Sequence, residues 1–186
     1  YEPTFTGGIT TAVGDVNNDG FPDVVVGAGP GGAPRVRVFD GRAFSTTFRT
    51  NPQFDPGNPP IIADFFAYES SLRGGVLVGA GNIAGGSNAE VIAGSGVGGG
   101  PRVRVFDGQA VTGQGGAFVG TSKGDTIADF FAYDASLRGG VRVAATAVTP
   151  PFVLAGDLVT APGPGGPPQV KIFRGTQIAS QGALFT

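Results

Sequence analysis

The chain has 186 residues, of which 35 are glycine and 15 are proline, and its formal net charge is -2. The frequent glycine and proline exclude long helices, whereas 15 phenylalanines and a hydrophobic content of 40% exclude a disordered chain. The absence of cysteine and histidine excludes disulfides, thiolate or imidazole metal sites and His-based or Cys-based catalytic triads, and the acidic balance argues against a nucleic-acid binder. Short strands joined by tight turns are therefore expected.

An acidic loop with the sequence DVNNDGFPD is the first motif along the chain. Its oxygen donors stand at loop positions 1, 3, 5, 7 and 9, and they are Asp15, Asn17, Asp19, the backbone carbonyl of Phe21, and Asp23. This is the donor order of a calcium loop, since calcium takes oxygen ligands. An EF-hand would also need a bidentate Glu at position 12 and two flanking helices, and both are missing. A plain turn rich in Asn and Asp is the alternative.

Two strands of different character follow this loop. The segment Asp23 to Ala28 (DVVVGA) is a continuous apolar run, which predicts a strand covered on both faces. Residues 35–39 (RVRVF) alternate, so Arg35 and Arg37 share one face, and a structural ion pair with Asp64 is expected for them. The glycines between the two strands match G-x-G-x-x-G, but a proline and a strand follow instead of a helix, so we interpret them as turn glycines.

A repeat of about 67 residues organises the whole sequence. Pro34, Pro101 and Pro168 are equally spaced, and RVRVF, RVRVF and QVKIF follow them. The segment IADFFAY, which ends at Tyr68 and again at Tyr133, is the second repeated element. Each unit therefore contains four short strands bounded by glycine, proline and asparagine turns, which is typical of a β-propeller blade.

The predicted fold is all-β, with blades of four antiparallel strands in a single repeat domain. Its three units are residues 1–68, 69–133 and 134–186, with the last incomplete. About eleven of twelve strands are expected. Because a closed propeller needs about four blades or more, the interpretation is either that two chains complete one ring or that the chain is a segment of a larger array.

The acidic loop is intact in one of the three units. In the second and third units the corresponding loops, Asn82 to Glu90 and Thr149 to Asp157, lack most of the oxygen side chains. One calcium ion per chain is therefore the prediction. The repeated Asp64 and Asp129 leave a two-carboxylate glycosidase compatible with the composition, but their place in repeated strands favours a structural role, and no enzymatic activity is predicted. The repeated aromatic pairs of IADFFAY are expected in the core.

The run DVNNDGFPDVVVGAGP resembles the FG-GAP repeat of integrin-alpha-type β-propellers, in which a calcium loop precedes an apolar strand. The accompanying RVRVFDG and IADFFAY segments are similar to repeats of large secreted bacterial proteins, so the resemblance covers nearly the whole chain. It implies a calcium-stabilised extracellular propeller, with Ca²⁺ held by Asp15, Asn17, Asp19, Phe21 and Asp23.

The sequence thus leads to the hypothesis of a non-enzymatic, calcium-stabilised scaffold or adhesion module that is secreted or located at the cell surface. The expected partners are a protein or glycan ligand and further copies of the chain, which would associate through open blade edges. Neither nucleic acid nor membrane insertion is expected. The alternatives are a carbohydrate-binding module and a structural subunit of a self-assembling surface array or filament.

Overall fold

Three antiparallel sheets form the structure, a computed structural model that describes residues 1–44, 60–113, 125–146 and 155–181. The first sheet (blade 1) contains β1 (Ile9–Gly14), β2 (Asp23–Ala28), β3 (Arg35–Phe39) and β4 (Ile61–Phe66). The second (blade 2) contains β5 (Val76–Gly81), β6 (Glu90–Ser95), β7 (Arg102–Phe106) and β8 (Thr126–Phe131). The third (blade 3) contains β9 (Val141–Thr146), β10 (Asp157–Pro162) and β11 (Lys171–Arg174).

Each blade is a simple meander in which strands that follow one another along the chain pair with one another. The all-β fold with propeller blades of four antiparallel strands is confirmed for blades 1 and 2, and blade 3 has three strands among the described residues. The sheets lie inside the three units that the repeat defines.

Two short helices follow the third strand of blades 2 and 3. They are α1 (Gly108–Thr112) and α2 (Gly175–Gln181). Asp107 caps α1, because its side chain accepts a hydrogen bond of 3.1 Å from the amide of Ala110. The repeated Asp-Gly after RVRVF is therefore a helix start in blade 2. No helix within the described residues is long and apolar enough to cross a bilayer.

The hydrophobic core lies between the blades. The first strands of adjacent blades are in contact, β1 with β5 and β5 with β9, and each pair of adjacent blades encloses one cluster of buried side chains. Phe65 of blade 1 meets Phe106 of blade 2 edge-on, with ring centroids 4.9 Å apart. Phe130 and Phe173 repeat this contact between blades 2 and 3 at 5.0 Å. The blades are thus held by face-to-face packing of sheets.

A tyrosine at the end of the fourth strand connects each blade to the next. The hydroxyl of Tyr68 lies 2.7 Å from the carbonyl oxygen of Ala93 and 2.8 Å from that of Arg102, both in blade 2. Tyr133 makes the corresponding contact of 2.8 Å with the carbonyl of Thr160 in blade 3. A basic side chain lies over the ring in both cases, with Arg104 at 5.3 Å and Lys171 at 4.8 Å from the centroid. We call this arrangement the tyrosine latch.

The expectation that the repeated aromatics are core residues is confirmed for most of them and wrong for Phe131. Phe65 and Phe130 are 1% and 4% exposed, whereas Phe131 is 52% exposed. The reason is geometric: neighbouring residues of a strand point to opposite faces, and the face of β8 that carries Phe131 is exposed to solvent.

The predicted arginine–aspartate pairs are observed in blades 1 and 2. Arg35 binds Asp64 through two hydrogen bonds of 2.6 Å, and Arg37 adds a third at 3.0 Å. Arg102 and Arg104 surround Asp129 in the same way, at 2.6 to 2.8 Å. Burial alone would raise the pKa of Asp129, but the hydrogen bonds from the two guanidinium groups outweigh burial and lower this pKa below its usual value.

This lowered pKa gives a testable pH dependence. Because the folded-state pKa of Asp129 lies below the unfolded value, its ion pairs contribute stability above the unfolded pKa, and that contribution is lost as the pH falls through the folded pKa. Asp129→Asn is expected to lower the free energy of unfolding at about pH 7 by about 1.5–3 kcal/mol. Urea unfolding from about pH 7 to about pH 2 should show this difference shrinking, and a constant difference would contradict the assignment.

Candidate metal centre

The acidic loop is the connection of a β-hairpin at one end of blade 1. β1 and β2 pair antiparallel, and Gly14 lies opposite Asp23 at the end of the ladder. The loop between them turns sharply because two residues adopt left-handed backbone angles, with φ of 58° at Asn18 and 87° at Gly20. Asparagine and glycine are the residues that accept this conformation most readily. The hairpin predicted from the sequence is therefore present.

The side-chain oxygens of three predicted ligands accept hydrogen bonds from backbone amides of this turn. Oδ1 of Asp15 and Oδ1 of Asn17 each lie 3.1 Å from the amide nitrogen of Asp19. Oδ2 of Asp15 accepts from Gly20 at 2.9 Å, and Oδ1 of Asp19 accepts from Phe21 at 3.0 Å. The loop therefore holds these oxygens in fixed positions. A carboxylate or amide oxygen that accepts one N–H keeps a second lone pair for a cation.

Asp23, the fifth predicted ligand, accepts hydrogen bonds from backbone amides of the loop and of the turn after β3. It is fully buried, and its Oδ2 accepts from the amides of Val16 at 2.9 Å and Asn17 at 3.3 Å. Its Oδ1 accepts from the amide of Gly41 at 2.9 Å. Burial is the largest influence on its pKa and raises it, although the amides act in the opposite direction. Asp23 thus fastens the loop to the hairpin end and to the turn after β3.

The same fastening recurs in blade 2, where the loop lacks most of the ligands. Glu90, which is 4% exposed, accepts from the amides of Ile83 at 2.6 Å and Ala84 at 3.1 Å. We call Asp23 and Glu90 the loop-anchoring acids. Asp157 occupies the corresponding position in blade 3 and is also buried, while the loop before it lies outside the described residues. Sequence reasoning missed the role of the loop-anchoring acids, although one signal was present: an acid recurs here in all three units, whereas the other loop oxygens do not.

Two backbone carbonyls of the acidic loop accept hydrogen bonds from the second unit. The carbonyl of Asp15 accepts from the amide of Ala89 at 2.7 Å, and the carbonyl of Val16 accepts from the Asn88 side chain at 2.7 Å. The side chain of Val16 is fully buried in the cluster between the two blades, together with Phe106 and others. The candidate site is therefore built into the boundary between blades 1 and 2.

The oxygen donors of this loop are of the type that a hard cation binds. Asp15, Asn17 and Asp19 present side-chain oxygens at one turn, and the Phe21 carbonyl follows in sequence, which are the oxygen donors that calcium takes. Within the described ranges, however, no group of three acidic, His or Cys side chains converges as a metal cluster. Two of the candidate donors, the Asn17 amide oxygen and the Phe21 carbonyl, are not of these types. The second and third units supply no comparable set, and residues 147–154 lie outside the described residues.

The fold and this hairpin define a class of protein, namely a partial β-propeller with an acidic loop between the first two strands of blade 1. Comparison with known families makes the class more specific, because the FG-GAP repeat matches residues 7–44. This segment contains β1, the acidic loop, β2 and β3, and it confirms the resemblance seen in the sequence. FG-GAP repeats are structural and binding repeats of β-propellers, and they are typical of extracellular domains. A search among curated proteins gave no match.

Proposed function

We propose that this chain is a non-enzymatic, calcium-stabilised extracellular propeller module that acts as a scaffold or in adhesion. The observation that carries the proposal is the acidic loop itself, in which the oxygens of Asp15, Asn17 and Asp19 are fixed around three consecutive backbone amides. Building these positions in advance lowers the entropy lost when a cation binds. The match to the FG-GAP repeat over this loop supports the same reading.

A bound calcium ion would neutralise the carboxylates of Asp15 and Asp19, which otherwise repel each other within one short loop. Other residues of the loop would hold its shape and connect it to blade 2. Gly20 and Asn18 keep the turn tight, and the Asp15 carbonyl carries the stabilisation to Ala89 in blade 2. Linkage predicts that free calcium at about 100 times the dissociation constant adds about 2.7 kcal/mol to stability.

Asp19→Ala tests this proposal. The substitution is expected to remove most of the gain in melting temperature that about 1 mM calcium gives the wild-type chain, since extracellular modules bind calcium at concentrations up to about 1 mM. In chelator the variant should melt close to the wild type, because Asp19 otherwise makes one local hydrogen bond, to Phe21. Differential scanning calorimetry in calcium and in chelator measures both. Equal destabilisation in both conditions would mean that the loop is a turn and not an ion site.

The carboxylates that a glycosidase would need are committed to other contacts. Asp64 and Asp129 each bind two arginines, with side chains that are 18% and 23% exposed. A general acid must hold and release a proton near neutral pH, whereas the pKa of Asp129 is lowered. These contacts support the non-enzymatic reading, as does the kind of repeat that matches the chain.

Carbohydrate binding is the second candidate, and one cavity favours it. A cavity of about 150 Å³ lies between the N-terminal segment and blade 1. The rings of Tyr1, Phe5 and Phe66 line it together with Glu2 and Arg35, and aromatic rings beside charged groups suit stacking and hydrogen bonding with a sugar. A glycan array probed with the wild-type chain and with Phe66→Ala separates this role from adhesion to a protein.

Self-association is part of the proposal because blade faces are left uncovered. Ile9 and Val13 of β1 are 56% and 61% exposed, although the corresponding strand of blade 2 packs against blade 1. Uncovered apolar faces of this kind mark interaction sites. Sedimentation analysis of the 186-residue chain over a range of concentrations tests whether copies associate.

A further inference from the structure

The cavity between the N-terminal segment and blade 1 has a counterpart in blade 2. Among the residues that line the cavity are a glutamate, an arginine and a phenylalanine, namely Glu2, Arg35 and Phe66. The repeat places the same three residue types in blade 2, at Glu69, Arg102 and Phe131. We call these two sets of three residues the aromatic sites of blades 1 and 2. The feature that favours sugar binding in blade 1 therefore occurs twice in the chain.

The arginine and the phenylalanine of each aromatic site stand side by side on one face of a sheet. Arg35 lies directly opposite Phe66 across the pairing of β3 with β4. Arg102 lies opposite Phe131 in the same way across the pairing of β7 with β8. Directly opposite residues of an antiparallel pair have their side chains on the same face. Strand pairing thus fixes the aromatic ring beside the guanidinium group in both blades.

The ring of Phe131 is open to solvent on a side where the neighbouring blade is present. Arg104 shares the sheet face of Phe131 and donates a hydrogen bond of 2.7 Å to the carbonyl of Ala67, just after the last strand of blade 1. This face therefore looks toward blade 1, and Phe131 is still 52% exposed on it. The ring also stands at the far end of β8 from Thr126, the end that follows the undescribed residues 114–124.

The charged groups beside this ring balance one another. Arg102 donates to Asp129 at 2.6 and 2.7 Å, and Arg104 donates to the same carboxylate at 2.8 Å. Nη1 of Arg102 lies 3.5 Å from Oε1 of Glu69, whose side chain is 61% exposed. Two guanidinium groups thus stand against two carboxylates. The Glu69 carboxylate has further lone pairs for accepting hydrogen bonds, and the Nη1 group beside it is a donor.

We propose that the aromatic sites of blades 1 and 2 are two equivalent binding sites for neutral sugar rings. A sugar ring has an apolar face that can stack on a phenylalanine, and its hydroxyls can donate to a carboxylate and accept from a guanidinium group. An acidic sugar would meet Glu69, and a basic sugar would meet Arg102, without an unpaired counter-charge. The balanced charges therefore favour a neutral ring.

This inference rests on the carbohydrate-binding candidate of the proposed function and deepens it. It adds a second site at Phe131, and it specifies that the sugar is uncharged. Two sites on adjacent blades would also give a polysaccharide that spans them a higher avidity than one site alone.

Nuclear magnetic resonance titration of the full 186-residue chain, labelled with ¹⁵N, tests the inference site by site. The probes are cellotriose, laminaritriose, maltotriose, xylotriose and chitotriose, with trigalacturonic acid as the acidic control. At least one neutral trisaccharide is expected to shift the amide signals around Phe66 and around Phe131 saturably. Trigalacturonic acid should bind at least about tenfold more weakly, because each site already holds a carboxylate next to its arginine.

Three variants complete the design. Phe131→Ala is expected to weaken binding at the blade 2 site about tenfold and to leave the blade 1 site unchanged, because it removes the stacking surface. Glu69→Gln gives the blade 2 site a net positive charge, so it should strengthen the binding of trigalacturonic acid there at least about threefold. Such a gain cannot come from misfolding. Val13→Ala, at an exposed position of β1, should leave both sites unchanged.

The outcomes separate this inference from the proposed function. If no neutral trisaccharide binds, both the inference and the carbohydrate-binding candidate are contradicted, whereas the calcium test with Asp19→Ala is unaffected. If binding occurs at the blade 1 site alone and Phe131→Ala changes nothing, the second site is overturned and the carbohydrate-binding candidate stands. If the wild type binds trigalacturonic acid as tightly as the neutral sugars, the assignment of an uncharged ligand is wrong.

Discussion

Asp23→Ala is expected to lower the free energy of unfolding by about 2–4 kcal/mol, both in calcium and in chelator. The substitution removes the acceptor of three backbone amides, those of Val16, Asn17 and Gly41, and each buried donor left without a partner costs about 1–3 kcal/mol. The bond from Asn17 is the longest and contributes least. Urea unfolding of the wild type and the variant, with and without calcium, measures the difference.

Asp19→Ala is the matched control, since Asp19 belongs to the same loop but accepts one local hydrogen bond. The two variants should separate in chelator, where Asp23→Ala is destabilised and Asp19→Ala is close to the wild type. Glu90→Ala gives a second comparison, because Glu90 fastens a loop that lacks most calcium ligands. A wild-type-like stability of Asp23→Ala in chelator would contradict the anchoring role.

Tyr68→Ala is expected to cost about 3–5 kcal/mol, the range for replacing a buried aromatic side chain by alanine. Tyr68 is 2% exposed and packs in the cluster between blades 1 and 2. Tyr68→Phe keeps the ring and removes the hydroxyl, so it should cost about 1 kcal/mol, the net value of a typical hydrogen bond. Guanidinium unfolding followed by circular dichroism measures both variants.

Phe131→Ala serves as the control for the tyrosine latch. It removes an aromatic ring from the neighbouring blade, but Phe131 is 52% exposed, so the cost should be well below that of Tyr68→Ala. Comparing Tyr68→Ala with Phe131→Ala therefore distinguishes the effect of burying a ring between two blades from the effect of losing any aromatic ring. Similar costs for the two substitutions would show that the latch does not hold the blades together.

Much of the fold could be predicted because the repeat shows which features are architectural. RVRVF, IADFFAY and the glycine turns recur at fixed spacing, and strands of this length bounded by glycine have few other ways to pair. The pairing of Arg35 with Asp64 followed from the same recurrence. The acidic loop could be placed on a hairpin because strand patterns stand on both sides of it.

The remaining features depend on three-dimensional contacts that a strand pattern does not contain. Asp23 has the residue type and the spacing of a metal ligand, yet its orientation is decided by the amides around it, including that of the distant Gly41. The latch of Tyr68 depends on which carbonyls of the next blade come within reach. The helix after Asp107 was missed because Asp-Gly favours a turn as well as a helix start.

The contacts between blades have a consequence for how the protein unfolds. Tyr68 connects blade 1 to blade 2, Tyr133 connects blade 2 to blade 3, and the two apolar clusters are divided in the same way. Such a chain behaves as a one-dimensional array, in which each unit is stabilised through its nearest neighbours. Blade 2 is the unit that couples the other two. A destabilising substitution in blade 2 is therefore expected to let blade 1, with its acidic loop, unfold at a different temperature from blade 3.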